Sequence, residues 1–285
     1  MIDYLIYRLG MFLALHLPLR ITYALATIIA DIHFFTSKND RTAVLDNLQL
    51  ILNKRDKETF RIAKYAFRNF AKYLVDFFRF SEINEYFINE NVVLKNIKHL
   101  DNALEKGRGV IILSAHLGNW ELGGVVSSKL GYKTNVVALD HKNKRINDIF
   151  IRQRAMTGVK VISIGMALRK CFIALKKNEI LGLLGDRDFS AHGIDIKFFG
   201  RTAIMPKGPA AFSIDTGAAI VPGFLLRNPD DTFTFAFEEE INYKPTGDRI
   251  KDLRAVTEKI IKVLEDYIRE YPEQWYVFRK FWGAA

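Results

Sequence analysis

The sequence predicts an α/β fold, a mixed and largely parallel sheet flanked by helices behind an N-terminal helical region, and three observations carry that expectation. From about residue 92 onward, short apolar runs alternate with segments of helical periodicity, the rhythm of βαβ units. Two of those runs, 109–114 and 180–184, have the character of strands buried on both faces. Upstream of residue 85 every periodic segment is helical, so the chain divides there into a helical region, 1–85, and an α/β domain, 86–285. No internal repeat, low-complexity tract or Gly/Ser linker marks another boundary.

Taken in order, Leu9 to Leu19 is apolar apart from His16, Arg20 interrupts, and Ile21 to Ala30 is apolar again. A spanning helix needs about 20 predominantly apolar residues without a central charge. This segment therefore reads as an interfacial or shallowly inserted membrane anchor, broken in two by Pro18. A secretory signal is the competing reading, because Ala24-Leu25-Ala26 resembles a cleavage site, but Arg20 would lie inside its apolar core. Arg41 to Asn53 carries Val44, Leu48 and Ile51 at helical spacing. In the next helix, 57–80, Phe60, Ala63, Phe67, Phe70, Leu74 and Phe77 recur at three or four, with Arg61, Lys64, Arg68 and Lys72 on other faces. Such a helix covers a domain, and its basic and aromatic side chains also suit a membrane interface.

In the second half, strands are expected at 92–94, 109–114, 133–139, 159–162, 180–184, 219–225 and 232–238. Helices are expected near 99–106, 145–156, 166–177, from Pro206 to Thr216, and 251–269. The terminal run 275–282 has the composition of either an interfacial belt or a packed strand.

Across 285 residues, 49% hydrophobic composition suffices for a sizeable core, and the single Cys171 rules out an intrachain disulfide framework. Forty-two basic against thirty-two acidic residues, a net charge of +10, point to an anionic partner. Nucleic acid is not expected, since no zinc-ligand pattern, RNP motif or concentrated basic arm occurs. No G-x-S-x-G elbow, Walker loop or G-x-G-x-x-G is present either, so neither an elbow-serine enzyme nor a nucleotide cofactor is expected.

The candidate chemistry sits where the run 109–114 ends abruptly in His116, followed five positions later by Glu121. On one continuous helix these side chains would stand roughly 140° apart. They can meet if the histidine occupies a turn and the glutamate the first turn of a helix. Gly118 and Asn119 supply that turn, glycine by accepting unusual backbone angles and asparagine as a helix N-cap. A carboxylate beside an imidazole fixes its tautomer and makes it a general base. The C-terminal end of a strand is also where sites in α/β folds concentrate. Asn119 either caps the helix or donates to substrate. Asp186 and Asp188, with His192 beyond, raise an Asp-x-Asp metal reading, but a hard cation would need further carboxylates; a substrate-contacting loop after a strand is preferred, and no metal is expected.

The stretch SAHLGNWELGG, residues 114–124, resembles the H-x4-D/E block of the glycerolipid acyltransferase superfamily. Its His-x-x-Asn-Trp-Glu form is similar to the late acyltransferases of lipid A biosynthesis and the related phosphatidylinositol mannoside acyltransferases. The resemblance continues through Arg154-Ala-Met-Thr-Gly158, Gly185-Asp186-Arg187-Asp188, Phe198-Phe199-Gly200, Pro206-Lys-Gly208, Thr216-Gly217-Ala218 and Pro272-Glu-Gln-Trp275, with Arg41 and Asn47-Leu48 upstream. It implies a glycerolipid-acyltransferase-like fold and an O-acyltransferase. His116 and Glu121 would form its general-base dyad, with Asn119, Arg154, Asp186 and Arg187 contacting substrate. Backbone N–H groups after Gly118, or Arg154, would offset the oxyanion. It implies acyl carrier protein as donor, with coenzyme A satisfying the same chemistry, and a glycolipid acceptor, a lipid A precursor before a mannolipid, aminolipid or lysophospholipid. No cofactor is implied, and the site would work at the cytoplasmic face of a bacterial inner membrane. Two other readings stay open at this point: a non-catalytic protein binding anionic lipid through its basic aromatic helices, and a lipid hydrolase using the same dyad on water.

Overall fold

A computed structural model describes residues 2–139, 141, 143–163, 167–189 and 192–282. Four helices come first: α1 (Ile2–His16), α2 (Leu19–Thr36), α3 (Lys38–Leu52) and α4 (Lys57–Phe78). The break between α1 and α2 falls at Pro18, as expected. Helix α4 opens on a capping box in which Asp56 accepts from the Thr59 amide at 2.8 Å. Helix α2 is long and apolar enough, by length and composition, to cross a membrane, and 28% of it is buried within the protein. With α1 it exposes Leu9, Phe12, Ile28, Ile29, Ile32 and Phe35.

The α/β rhythm then runs α5 (Glu85–Asn91), β1 (Val92–Lys95), α6 (Lys98–Glu105), β2 (Val110–Ser114), α7 (Trp120–Lys129), β3 (Thr134–Ala138), α8 (Lys144–Ala155), β4 (Lys160–Ser163), α9 (Ala167–Lys176) and β5 (Ile180–Leu184). A hairpin, β6 (Ile194–Phe198) and β7 (Arg201–Met205), precedes α10 (Gly208–Thr216), β8 (Ala219–Arg227), β9 (Phe233–Phe237) and α11 (Arg249–Glu270). Met166, the expected first residue of the helix before β5, lies outside the described residues. Helix α5 and the hairpin are not among the elements expected from the sequence. The hairpin turns at Phe199 and Gly200, with φ of 50° and 77°, and a phenylalanine at positive φ carries none of the Asn-Gly signal that marks such turns. Phe198 is fully buried there and packs against Trp275, Phe281 and Trp282.

Seven strands form one sheet in the order β1-β9-β8-β2-β5-β3-β4, parallel throughout except where β8 meets β9. Strand β2 is the pivot, because β8 and β5 flank it on either side. Alternation sends Ile111 and Leu113 into one core with Ile260 and Leu264 of α11. Val110 and Ile112 enter the other with Phe77 of α4, Leu122 of α7 and Phe150 of α8. The N-terminal helices contribute to both, Leu48 and Phe67 to the first and Ala14 and Tyr23 to the second.

The C-terminal run is packed. Trp275, Tyr276 and Val277 are buried, and Leu117 forms an antiparallel bridge with Trp275. Asn47 latches the run by donating to the Val277 and Arg279 carbonyls at 3.2 and 2.9 Å while accepting from the Phe281 amide at 3.0 Å. Arg41 donates to the last carbonyls of α2, those of Phe34 and Phe35, at 2.7 and 2.8 Å.

Candidate active site

Strands β2 and β5 run parallel in a register that sets Ser114 beside Leu184. The pairing continues one step past the sheet, where the Gly185 amide donates to the Ser114 carbonyl at 2.8 Å. Two residues beyond each strand end, His116 and Asp186 meet, with Nδ1 2.8 Å from Oδ1. Asp186 is fully buried, and its other oxygen accepts from Trp275 Nε1 at 3.0 Å. Burial alone would push its carboxyl up. The positive charge that His116 can carry and its hydrogen bond, together with the Arg187 guanidinium and the Trp275 N–H, outweigh burial and hold the carboxyl well below the usual carboxylate range. An ionised carboxylate only accepts, so Nδ1 carries the imidazole proton and Nε2 is left as the acceptor.

Glu121 does not fill that place, which corrects the expected His116–Glu121 pairing. It lies in the first turn of α7 and turns toward α8, where Arg154 grips it through two N–H groups, Nε to Oε2 at 2.9 Å and Nη2 to Oε1. The physical reason is the sheet order. The neighbouring parallel strand delivers a buried carboxylate straight to Nδ1, and the ring needs only one. Arg154 is almost wholly buried against Phe150 and Phe77. Its spacing to Gly158 reflects the turn that closes α8, because Gly158 sits at φ 82° with Ser128 Oγ only 2.8 Å from where a Cβ would stand.

The turn carrying His116 is clamped on all sides. Gly118 adopts φ 62°, and a Cβ there would fall 2.2 Å from the Leu225 carbonyl oxygen. Its amide donates to the Gln274 carbonyl at 2.9 Å, the Asn119 amide to Leu225 at 2.7 Å, and the Tyr276 amide to the His116 carbonyl at 2.9 Å. The Gly118 and Asn119 amides are therefore committed, which takes Asn119 out of the backbone N–H groups after Gly118 expected to offset an oxyanion. Asn119 is also corrected as a substrate contact. It is buried, its Oδ1 caps α7 by accepting from the Leu122 amide at 3.0 Å, and its Nδ2 donates to Asp76 Oδ2 at 2.8 Å. Asp76 in turn is paired with buried Arg227 and accepts from the Tyr23 hydroxyl. In the sequence this buried cluster shows only as a lone aspartate late in an aromatic helix, which does not reveal its partners.

His116 opens onto a cavity of about 500 Å³. One wall is the sheet face that carries Ile112, Ser114, Val136, Gly182, Leu184, Gly223 and Leu225. The other is built by Tyr73 and Leu74 of α4, Trp120, Gly123 and Gly124 of α7, and Phe150 of α8. The cavity extends along β5 from Ile180 to Leu184, roughly 13 Å of extended chain, and its wall is predominantly apolar. Glu121, Arg154 and Arg187 also line it, and so do Asp188, Phe189 and Lys207. Arg187 is anchored by donating to the Tyr276 carbonyl and lies 3.8 Å from Asp186. Of the residues singled out in the sequence, the fold thus gathers His116, Glu121, Arg154 and Arg187 on one cavity, places Asp186 behind His116, and sets Asn119 to hold the turn. An imidazole on the wall of a largely apolar cavity, with Nδ1 turned to Asp186 and Nε2 left as the acceptor, is equipped to take a proton from a hydroxyl.

Two comparisons bear on that chemistry. The chain matches, over residues 1–283, a family described as bacterial lipid A biosynthesis acyltransferase. It is similar to the phosphatidylinositol mannoside acyltransferase of Mycolicibacterium smegmatis, at 26% identity over 227 residues, which cover 78% of this chain and 73% of that protein. It is likewise similar to the phosphatidylinositol mannoside acyltransferase of Mycobacterium tuberculosis, at 25% identity over 225 residues, 77% of this chain and 69% of that protein.

Proposed function

Because the chain belongs to the bacterial lipid A biosynthesis acyltransferase family and is therefore an acyltransferase, we propose that it moves a fatty acyl group from a thioester donor to a hydroxyl of a glycolipid acceptor. The donor in this reading is acyl carrier protein, with coenzyme A as the alternative, and an acidic carrier suits a chain of net charge +10. The observation that carries the reading is the His116–Asp186 pair opening onto an apolar cavity. His116 Nε2 takes the proton of the acceptor hydroxyl as its oxygen attacks the thioester carbonyl. Asp186 holds the ring and balances the imidazolium. Collapse of the tetrahedral adduct expels the thiolate, which recovers the proton from Nε2. No acyl-enzyme forms in this sequence.

A lipid A precursor is the acceptor suggested by the family. The names of the relatives favour a second reading, in which the acceptor is a phosphatidylinositol mannoside. Both are glycolipids made at a membrane, and the apolar residues exposed on α1 and α2, next to Arg8 and Arg20, support docking at the cytoplasmic face of the inner membrane. The test is transfer of labelled acyl groups by purified membranes. His116→Ala should lower transfer by several orders of magnitude and leave membrane association intact, and unimpaired transfer by H116A ends the proposal. Mass spectrometry of lipids from cells lacking the protein separates the two acceptors.

A further inference from the structure

Along β2 the side chains that face the cavity are Ile112 and Ser114, and His116 follows on the same side. Ser114 is 7% exposed, and its Oγ is buried with no hydrogen-bond partner among the described residues. Its partner on β5 is the apolar Leu184. Its own carbonyl is already taken by the Gly185 amide. A buried hydroxyl without a partner opposes folding, so a protein that keeps one on a cavity wall has another use for it.

The order of groups along the strand says what that use is. His116 is the base, Ile112 lies in the hydrocarbon part of the wall, and Ser114 stands between them. An acyl chain laid along the sheet face with its reacting carbon at His116 brings one polar atom past Ser114, the carbonyl oxygen. The amides of Gly118 and Asn119 cannot serve that oxygen because they are committed elsewhere. We infer that the Ser114 hydroxyl is a catalytic hydrogen-bond donor to the carbonyl oxygen of the acyl thioester.

This inference rests on the acyl-transfer reading above and adds one group to it. As the acceptor oxygen bonds to the carbonyl carbon, the π pair moves onto the carbonyl oxygen, and the Ser114 O–H donates to that oxyanion. When the carbonyl re-forms, the C–S bond breaks, the thiolate leaves with the electron pair, and the proton held on His116 Nε2 passes to sulfur. Ser114 keeps its proton throughout. Because the donor strengthens its bond only as charge develops, its loss falls on kcat more than on KM.

The test compares Ser114→Ala, Ser114→Thr and His116→Ala in the full-length protein, with steady-state transfer from an acyl thioester and the melting temperature of each. S114A should lower kcat about 10²-fold, with KM within threefold and a melting temperature equal to or above that of the wild type. S114T, which keeps a hydroxyl, should recover at least a tenth of the wild-type kcat. Activity and stability then move apart, which a packing role cannot produce. An S114A variant within threefold of the wild-type kcat, a loss confined to KM, or an S114T variant as inactive as S114A each overturns the inference. If H116A abolishes transfer while S114A does not, only the role of Ser114 falls; if neither affects transfer, the underlying function falls with it.

Discussion

Asp186, and not Glu121, lies 2.8 Å from His116 Nδ1, while Glu121 is clamped from two sides by Arg154. The two acids therefore have different tasks, and their neutral amides should fail differently. Asp186→Asn keeps the shape but removes the acceptor that dictates the tautomer, so kcat should fall by about 10⁴ with the protein still folded. Glu121→Gln leaves a nearly buried guanidinium without its counter-charge and should cost about 3 kcal/mol of stability. Removing both partners in Glu121→Gln/Arg154→Met should restore part of that loss. Chemical denaturation of the three variants alongside kcat separates the roles, and a folded D186N that keeps wild-type kcat would contradict them.

A pH dependence follows from the same carboxylate. The folded-state value of Asp186 lies below its ordinary 3.8, so the unfolded chain binds its proton first as pH falls. The contribution of Asp186 is thus fully present above about pH 4 and is lost progressively below it, down to the folded value. The stability gap between wild type and D186N, followed by tryptophan fluorescence during urea unfolding, should narrow as the pH falls below about 4. A gap that widens over that same acid range would reverse the sign and sink the assignment.

Gly118 and Gly107 both adopt positive φ, but their surroundings differ. A Cβ at Gly118 meets the Leu225 carbonyl oxygen at 2.2 Å, whereas one at Gly107 meets nothing within 4 Å. Gly107→Ala should therefore cost only the conformational strain, about 1 kcal/mol, with activity unchanged. Gly118→Ala must displace the backbone that carries His116. A shift on the order of 1 Å there should lower kcat by about 10² or more, on top of a larger loss of stability. Thermal melts with transfer rates for the two variants provide the comparison.

How far the sequence reveals this site depends on which contacts are local. The strands, the N-capping role open to Asn119 and the need for glycine at 118 are written in consecutive residues. That is why β2, the tight turn and α7 stand where periodicity and capping put them. The partner of His116 is not local. His116 and Asp186 each lie two residues beyond the end of a buried strand, a legible coincidence, but it becomes a contact only because β5 inserts between β2 and β3. Strand order depends on long-range packing, and without it the nearest carboxylate in sequence, Glu121, is the natural choice. The same holds for Asp76, Asn119 and Arg227, which come from three separate elements and meet only in the folded core.

That last cluster supports the final prediction. Asp76 accepts from Asn119 Nδ2 at 2.8 Å, from Arg227 and from the Tyr23 hydroxyl, so one buried carboxylate ties α2, α4 and β8 to the turn that bears His116. Removing one neutral donor, as in Tyr23→Phe, should cost about 1 kcal/mol, because Arg227 and Asn119 still satisfy the acid. Asp76→Ala removes the buried carboxylate that Arg227 and Asn119 share, leaving the guanidinium with Asp231 at 3.3 Å as its remaining acid, and it should cost about 3 kcal/mol. Asn119→Ala removes the cap and one donor but leaves the ion pair, so its cost should fall between the two, about 2 kcal/mol. The order Y23F, N119A, D76A in unfolding free energy checks the network. Because Asn119 directly follows the clamped Gly118, N119A should also lose more transfer activity than Y23F when both are assayed fully folded.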